Sequence, residues 1–202
     1  QTISSLPHHI GETVRVRGWA AHLRSSGKVA FIVLRDGSGT LQCVVVQKVV
    51  GDAAWGTFQS LTIETSVEID GEVRADARAP GGVEVGVTNM TVLGTSPSDY
   101  PIQPKEHGID FLLDHRHLWL RSPRQVAIGR VRAELEQALN DFFYEREFVR
   151  VDTPILTSAI GERSGLFSTE YFDEGNAYLA QTGQLYGEAA AAAFGKIYTF
   201  GP

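Results

Sequence analysis

The fold of this chain is decided by residues 31–42, which have the sequence FIVLRDGSGTLQ. The apolar run that opens the stretch is typical of a strand, and the DGSG sequence at residues 36–39 contains the residue types that favour a tight turn. A second run of strand-forming residues begins at Thr40. We therefore predict a β-hairpin whose strands lie at residues 28–34 and 40–47.

On both sides of the hairpin, residues 13–96 contain further short strands separated by turn residues. In the first strand the apolar residues alternate with others, which predicts one buried face and one solvated face. The predicted buried face carries Val14, Val16 and Ala20, and the other carries Arg15, Arg17 and Trp19. Two strands at residues 66–73 and 83–93 follow a short helix at residues 52–61. This order predicts a five-stranded OB-fold barrel, whose exposed face often binds single-stranded nucleic acid.

The composition changes after residue 96, where several prolines interrupt any regular structure. Ser122 followed by Pro123 is typical of a helix start, and apolar residues then recur at helical spacing until about Glu147. Residues 148–154 are predicted to be extended, and the alanine run at residues 189–193 favours helix.

These changes predict a multi-domain α+β protein. The first domain is the barrel at residues 1–96, the linker is residues 97–121, and a second domain begins at residue 122 and continues to residue 202.

The charge and cysteine content limit the classes of function. The chain has 202 residues with 18 basic and 24 acidic side chains, a net charge of −6, so it is not expected to coat nucleic acid through bulk charge. Any RNA contact must be local. The single cysteine, Cys43, excludes an internal disulfide and a multi-cysteine zinc site, which favours a reducing cytoplasm. We expect no membrane partner, because no apolar run approaches spanning length.

Residues 147–156, with the sequence EFVRVDTPIL, resemble the first signature motif of the class II aminoacyl-tRNA synthetases, which ends in a proline at the dimer interface. Further segments are similar to the subgroup that charges aspartate, asparagine or lysine. They are residues 31–42, residues 100–105 (YPIQPK) and residues 116–121 (RHLWLR). The resemblance implies that residues 122–202 begin an antiparallel-sheet catalytic domain. It also implies a homodimer, with Pro154 in the dimer motif.

The resemblance places anticodon-reading residues on the barrel at Arg24, Phe31 and Gln42. A flat ring can stack on a splayed base, and the amide of Gln42 offers a donor and an acceptor to the pairing edge of a uracil. From the residues alone, Phe31 fits core packing at least as well, Gln42 fits a solvated strand position, and Arg24 fits a loop charge. Aspartate-charging relatives often have a second aromatic residue where this chain has Val44, so the number of stacked bases stays open.

The amino-acid site is expected in two segments of the second domain. Glu162 matches a loop glutamate that approaches the substrate α-ammonium group, although a solvated loop acid is the alternative. Gln184 matches a glutamine that contacts the amino acid. Aspartate-charging relatives carry proline in place of Gly183 and lysine in place of Gly187, and the lysine pairs with the substrate carboxylate.

Here no lysine stands at position 187, and the carboxylate of Glu188 follows it. A carboxylate accepts hydrogen bonds from a carboxamide and repels an acid, so asparagine is the expected substrate. For Gln184 and Glu188, the alternative is an ordinary polar helix start.

The resemblance implies an asparagine–tRNA ligase, which forms asparaginyl adenylate from asparagine and ATP and then charges asparagine tRNA. ATP and Mg²⁺ are the expected cofactors, and their ligands lie beyond residue 202. The 202 residues are therefore expected to be a fragment that contains no catalytic residue and is inactive alone. The alternatives are an aspartyl-tRNA synthetase, possibly one that accepts both amino acids, and a non-catalytic tRNA-binding module. A paralogue making free asparagine is disfavoured by the barrel.

One cluster of ligand-type residues is not expected to bind metal. Asp114, His115 and His117 lie close together in sequence, as in some metal sites. The segment matches the hinge region of the family, however, and the sequence has no further His or Cys cluster to complete a coordination shell.

Overall fold

The computed structural model describes residues 1–158 and 166–201, which form two compact units, Gln1–His115 and Arg116–Pro202. The first unit contains a closed barrel with the strand order β1-β2-β3-β5-β4. Its strands are β1 (Thr13–Ser26), β2 (Val29–Arg35), β3 (Thr40–Val46), β4 (Ser66–Ala75) and β5 (Val83–Gly94). The predicted five-stranded OB barrel is confirmed, including the hairpin that β2 and β3 form.

Every second side chain of a β-strand points to the same face, and the inward face of the barrel strands is apolar. On β2 and β3 every second residue is buried. Val14, Val16 and Ala20 on β1 are buried as predicted, while Trp19 is 43% exposed. Cys43 on β3 is completely buried inside the barrel. Burial raises the pKa of this thiol far above its usual range, and the charge of Glu84 raises it further.

Asp36 organises the turn between β2 and β3. Its Oδ1 accepts hydrogen bonds from the amide N–H groups of Ser38 (2.7 Å) and Gly39 (2.9 Å) and from the Ser38 hydroxyl (2.7 Å). Its Oδ2 accepts the amide N–H of Ile3 at 2.9 Å. Ile3 belongs to a short 3-10 helix, Ile3–His8, which places Ile3 and Leu6 in the barrel core. The Asp36 carboxylate therefore joins this N-terminal segment to the hairpin.

The pKa of Asp36 lies below its usual value. Burial acts to raise it, but the N–H donors of Ile3, Ser38 and Gly39 and the Ser38 hydroxyl together lower it.

A helix, α1 (Gln47–Gln59), connects β3 to β4 and places Trp55 and Phe58 in the barrel core. The helix begins five residues before the start predicted from sequence. Gly51 has a φ of 77°, so the first turn of α1 is separated by a kink from the regular part that the sequence pattern indicated.

A largely buried ion pair lies before β4. The guanidinium of Arg35 donates to both carboxylate oxygens of Glu64, at 2.7 and 2.9 Å, and the two side chains are 18% and 6% exposed. Glu64 has a φ of 68°, in the left-handed region that non-glycine residues rarely occupy. The bidentate pair holds this strained residue in place. A second 3-10 helix, Pro80–Gly82, precedes β5, and α2 (Ile109–Asp114) lies near the end of the first unit.

The second unit begins with α3 (Arg116–Trp119) and the long helix α4 (Pro123–Tyr144), which ends three residues before the predicted end. Ser122 is the N-cap, and its hydroxyl accepts the amide N–H of Gln125 at 3.4 Å. The apolar residues that predicted the helix form an exposed set. They are Ile128, Val131, Leu135, Leu139 and Phe142.

Two small sheets and a further helix follow. The parallel pair consists of β6 (Val149–Arg150) and β10 (Ile197–Tyr198). The antiparallel sheet has the order β7-β9-β8, with β7 (Leu156–Thr157), β8 (Ser168–Glu170) and β9 (Asn176–Leu179). A 3-10 helix, Phe172–Glu174, lies between β8 and β9, and α5 (Gln184–Phe194) precedes β10. Among the described residues, none of the helices has the length and hydropathy that a membrane span requires.

Candidate functional site

Phe31 lies on the outer face of the barrel. Its neighbours on β2, Ala30 and Ile32, are fully buried, whereas Phe31 is partly exposed and is not a member of the core. Gln42 on β3 also points outward, because Leu41 and Cys43 on either side of it are buried. The core-packing interpretation of Phe31 therefore does not fit its position in the barrel.

Arg24, Phe31 and Gln42 converge on this outer face. Arg24 on β1 is directly opposite Phe31 on β2, and its guanidinium carbon lies 4.3 Å from the centroid of the Phe31 ring. Its Nη2 also donates to Oε1 of Gln42 at 3.1 Å. The three residues thus combine a flat ring, a cation and an amide at one place. This is the chemistry that a splayed base requires.

A fourth residue, Glu84, completes the cluster and was not predicted from the sequence. It is opposite Gln42 in the parallel register of β3 and β5, and its Oε2 accepts the Nε2–H of Gln42 at 3.0 Å. The carboxylate therefore fixes the Gln42 amide with its carbonyl towards Arg24. The alternation of β5 indicates that Glu84 points outward, but only the register of distant strands brings it to Gln42.

A cleft of about 340 Å³ lies beside this cluster in the first unit. It is lined by Leu23, Arg24, Ser25, Phe58, Gln59 and Leu61. Arg24 is common to the cleft and the cluster, so the two adjoin at this side chain. Val44 is opposite Phe31 on β3, and no second aromatic ring takes that position.

In the second unit, the predicted amino-acid contacts lie at the start of α5. Gln184 and Glu188 are one helical turn apart, and Nε2 of Gln184 donates to Oε1 of Glu188 at 2.9 Å. Gly183 is the N-cap of this helix, and its carbonyl accepts the amide N–H of Gly187 at 2.8 Å. The four residues therefore belong to a single structural element.

A larger cleft of about 520 Å³ lies between the β6 strand region and the segment that precedes α5. Residues 150–153 and Ile155 line one side, and residues 181–183 and 199–201 line the rest. Gly183 is part of the lining, but Gln184 and Glu188 are not. The cleft therefore reaches the N-terminus of α5 and stops before the side chains predicted to contact the amino acid.

Two further predicted residues lie apart from these clusters. Pro154 is exposed between β6 and β7. Glu162 lies outside the described residues. Within residues 1–158 and 166–201, no three side chains of His, Cys, Asp or Glu converge as metal ligands would.

Comparison with known families and proteins matches both units. Residues 14–93 match the family described as "OB-fold nucleic acid binding domain", and residues 108–202 match "tRNA synthetases class II (D, K and N)". An asparagine–tRNA ligase of Roseiflexus sp. (strain RS-1) is 54% identical over 202 residues, covering 100% of this chain and 46% of the relative. An asparagine–tRNA ligase of Thermus thermophilus is 51% identical over 201 residues, covering 99% and 46%.

The chain carries an OB-fold nucleic acid binding domain followed by a class II tRNA synthetase domain of the D, K and N group.

Solved structures of class II tRNA synthetases agree. Asparaginyl-tRNA synthetase from Pyrococcus horikoshii, complexed with asparaginyl-adenylate, has a TM-score of 0.89 and 37% identity, covering 97% of this chain and 45% of that one. The Entamoeba histolytica asparaginyl-tRNA synthetase in complex with asparaginyl-adenylate has a TM-score of 0.80 and 32% identity, covering 94% and 44%. The chain thus spans about half the length of the synthetases that it matches.

Proposed function

We propose that the complete protein carrying this chain is an asparagine–tRNA ligase. It joins asparagine to ATP, forming asparaginyl adenylate and pyrophosphate, and then transfers the asparaginyl group to the terminal ribose of asparagine tRNA. The similarity to asparagine–tRNA ligases at 51–54% identity supports this assignment over an aspartate-charging enzyme.

Residues at the start of α5 support asparagine as the substrate. Position 187 is glycine and offers no ammonium group to a substrate carboxylate, while Glu188 offers an acceptor to a carboxamide NH₂. The hydrogen bond between Gln184 and Glu188 holds both side chains on one helix face. Both side chains are exposed in this structure, so the bound amino acid must cover them for this pairing to select. A site that depends on such polar pairing rejects the mispaired substrate by roughly 10⁴-fold or more, because the covered groups are left without partners. We assign Glu162 to the α-ammonium group of the same substrate.

The outer face of the barrel is proposed to read the anticodon. A base stacks on Phe31, and the Gln42 amide reads the pairing edge of the central uracil. Arg24 contacts a phosphate or a neighbouring base edge. The convergence of these three side chains at 3.1 and 4.3 Å supports a common site.

The remaining assignments follow from the family. ATP and Mg²⁺ are the proposed cofactors, with ligands outside these residues. A homodimer through the Pro154 motif would cover apolar surface such as that on α4. We also propose a cytoplasmic location and a division into residues 1–96, 97–121 and 122–202. The two compact units and the two family matches support a barrel followed by a catalytic region.

The assignment is tested by ATP–pyrophosphate exchange with the complete protein. We expect exchange with asparagine and none above background with aspartate. Exchange with aspartate would indicate an aspartate-charging or relaxed enzyme. If neither amino acid supports exchange while asparagine tRNA still binds, the protein is a tRNA-binding module and the proposed function is wrong.

A further inference from the structure

Position 183 requires glycine because there is no room for a side chain, and not because of its backbone conformation. Its φ of −84° and ψ of 8° are accessible to other residues. A Cβ at this position, however, would lie 2.7 Å from Oγ1 and 2.8 Å from Cγ2 of Thr153, and 3.2 Å from its Cβ. Thr153 is therefore the side chain that excludes any residue except glycine.

Thr153 is poorly able to move away. Thr153 is β-branched, so its Cβ carries two heavy atoms and its χ1 angle is restricted. Rotation about χ1 therefore still leaves one of these two atoms close to a Cβ at position 183. Thr153 also precedes Pro154, which restricts its backbone to extended conformations. An added methyl group at position 183 must therefore displace the start of α5 from Thr153.

Such a displacement would reach the amino-acid contacts. The carbonyl of Gly183 accepts the amide N–H of Gly187 at 2.8 Å, so the first turn of α5 moves with it. That turn carries Gln184, which is hydrogen-bonded to Glu188. Later in the same turn, the hydroxyl of Tyr186 lies 2.9 Å from Oγ1 of the buried Thr157. The hydrogen bond to Thr157 thus holds the helix start, and Thr153 limits how closely Gly183 can approach the strand region.

The other glycine in the first turns of α5 has no such close neighbour. A Cβ added at Gly187, one turn later on the same helix, would lie 3.7 Å from Cδ1 of Ile197, which is an ordinary van der Waals distance. In this chain a proline at position 183, as aspartate-charging relatives carry, would need the helix start to lie further from Thr153.

We infer that Thr153 is a positioning residue for amino-acid selection. It sets how closely the N-terminus of α5 approaches the strand region, and so holds Gln184 and Glu188 at the distance that suits a carboxamide. This inference rests on the proposed function. It also explains why position 183 affects selectivity, because the effect of any substitution at position 183 depends on the side chain at position 153.

A double-mutant cycle in the complete protein tests the inference. The variants are Gly183→Ala, Thr153→Ala and the double variant, because Thr153→Ala removes the two atoms that lie nearest to an added Cβ. Gly56→Ala on α1 is the matched control, since a Cβ there meets nothing within 4 Å. The measurements are the KM values for asparagine and ATP in pyrophosphate exchange, together with the melting temperature.

We expect Gly183→Ala to raise the KM for asparagine by about tenfold to a hundredfold, as a small misplacement of substrate-binding groups does. The KM for ATP and the melting temperature should stay close to those of the control. In the double variant, we expect most of the KM increase to disappear. The inference is overturned if the double variant is as impaired as Gly183→Ala, or if both KM values and the melting temperature change together. Failure of the proposed function is seen separately, as unmutated protein that does not use asparagine.

Discussion

The guanidinium carbon of Arg24 lies 4.3 Å from the centroid of the Phe31 ring, and Nη2 of the same side chain donates to Gln42. Arg24 therefore already makes the two kinds of contact that we propose for a nucleobase, which are stacking on the ring and a hydrogen bond to the amide. A base that stacks on the same ring face must displace this guanidinium. RNA binding would then replace the Arg24–Phe31 cation–π pair with a base stacked on Phe31. The guanidinium of Arg24 would be free to contact a phosphate.

Phe31→Ala is expected to weaken binding of an asparagine-tRNA anticodon stem–loop. Loss of one base–ring stack costs about 1–3 kcal/mol, which is roughly five- to 150-fold in Kd. The fold should be retained because Phe31 is outside the core. Trp19→Ala removes another exposed aromatic residue of the barrel and is the control. Equal Kd values for the two variants would exclude Phe31 as the stacking platform.

Glu84→Gln is expected to reduce discrimination at the central anticodon position. The carboxylate can only accept from Gln42, which fixes the amide orientation, whereas a glutamine at position 84 allows either orientation. We expect the preference for uracil over cytosine to fall by about fivefold, the value of one hydrogen bond near 1 kcal/mol. Competition binding with the two stem–loops measures it. Glu68→Gln is the control, because Glu68 pairs with Arg15 and Arg17, and it should leave the preference unchanged.

Glu64→Ala is expected to lower the free energy of unfolding by about 3 kcal/mol, because it leaves the largely buried Arg35 without its counter-ion. Urea unfolding followed by circular dichroism measures the change. Glu72→Ala breaks the pair with Arg74, whose side chains are about half exposed, and should cost less than about 1 kcal/mol. Similar losses in the two variants would contradict the distinction between these ion pairs.

The hydrogen bonds to Asp36 predict a pH-dependent stability. Because the folded-state pKa of Asp36 is lowered, its stabilisation is present above the unfolded-state pKa of about 3.9 and is lost as pH falls through the folded-state pKa. Asp36→Asn should therefore be less stable than the parent at pH 7, and the difference should shrink below about pH 4. Urea midpoints from about pH 3 to pH 7 measure this. A difference that grows on acidification would contradict the assigned direction.

Gly187→Lys is expected to shift substrate use from asparagine towards aspartate. A Cβ fits at this position, so the substitution adds an ammonium group without the clash found at Gly183. We expect exchange with asparagine to fall at least about tenfold and exchange with aspartate to become detectable, since a charge complementary to the acid is introduced. Gly187→Met adds similar length without charge and should lose asparagine without gaining aspartate. Aspartate use by both variants would show that charge is not the cause.

The barrel was predictable because strand-forming runs flank a turn with suitable chemistry and because β1 alternates apolar residues with others. The inward face of β2 was not predictable, because residues 29–34 are all apolar, and only the structure shows that Ile32 and Leu34 lie in the core while Phe31 does not. The start of α1 was not predicted, because its first turn precedes the kink at Gly51. The end of α4 was predicted three residues late, because local sequence patterns are least informative at helix ends.

The site was predictable only in part. Family resemblance selected Phe31 and Gln42, and the burial pattern of β2 and β3 in the structure shows that both point outward. The contacts of Gln42 with Glu84 and of Gly183 with Thr153 join residues 42 and 30 positions apart, respectively, and no local pattern specifies them. Such pairs follow from the register of distant strands and from packing. These are the features that sequence periodicity does not encode.

Because Cys43 is completely buried, its reactivity depends on whether the barrel is intact. A thiol attacks an alkylating reagent as the thiolate, and this one is neither ionised nor accessible while β2, β3 and β5 stay paired. It is also the only cysteine in the sequence. The rate at which a maleimide labels this chain therefore measures opening of the barrel. No engineered label is needed, and no other cysteine thiol in the sequence contributes to the signal.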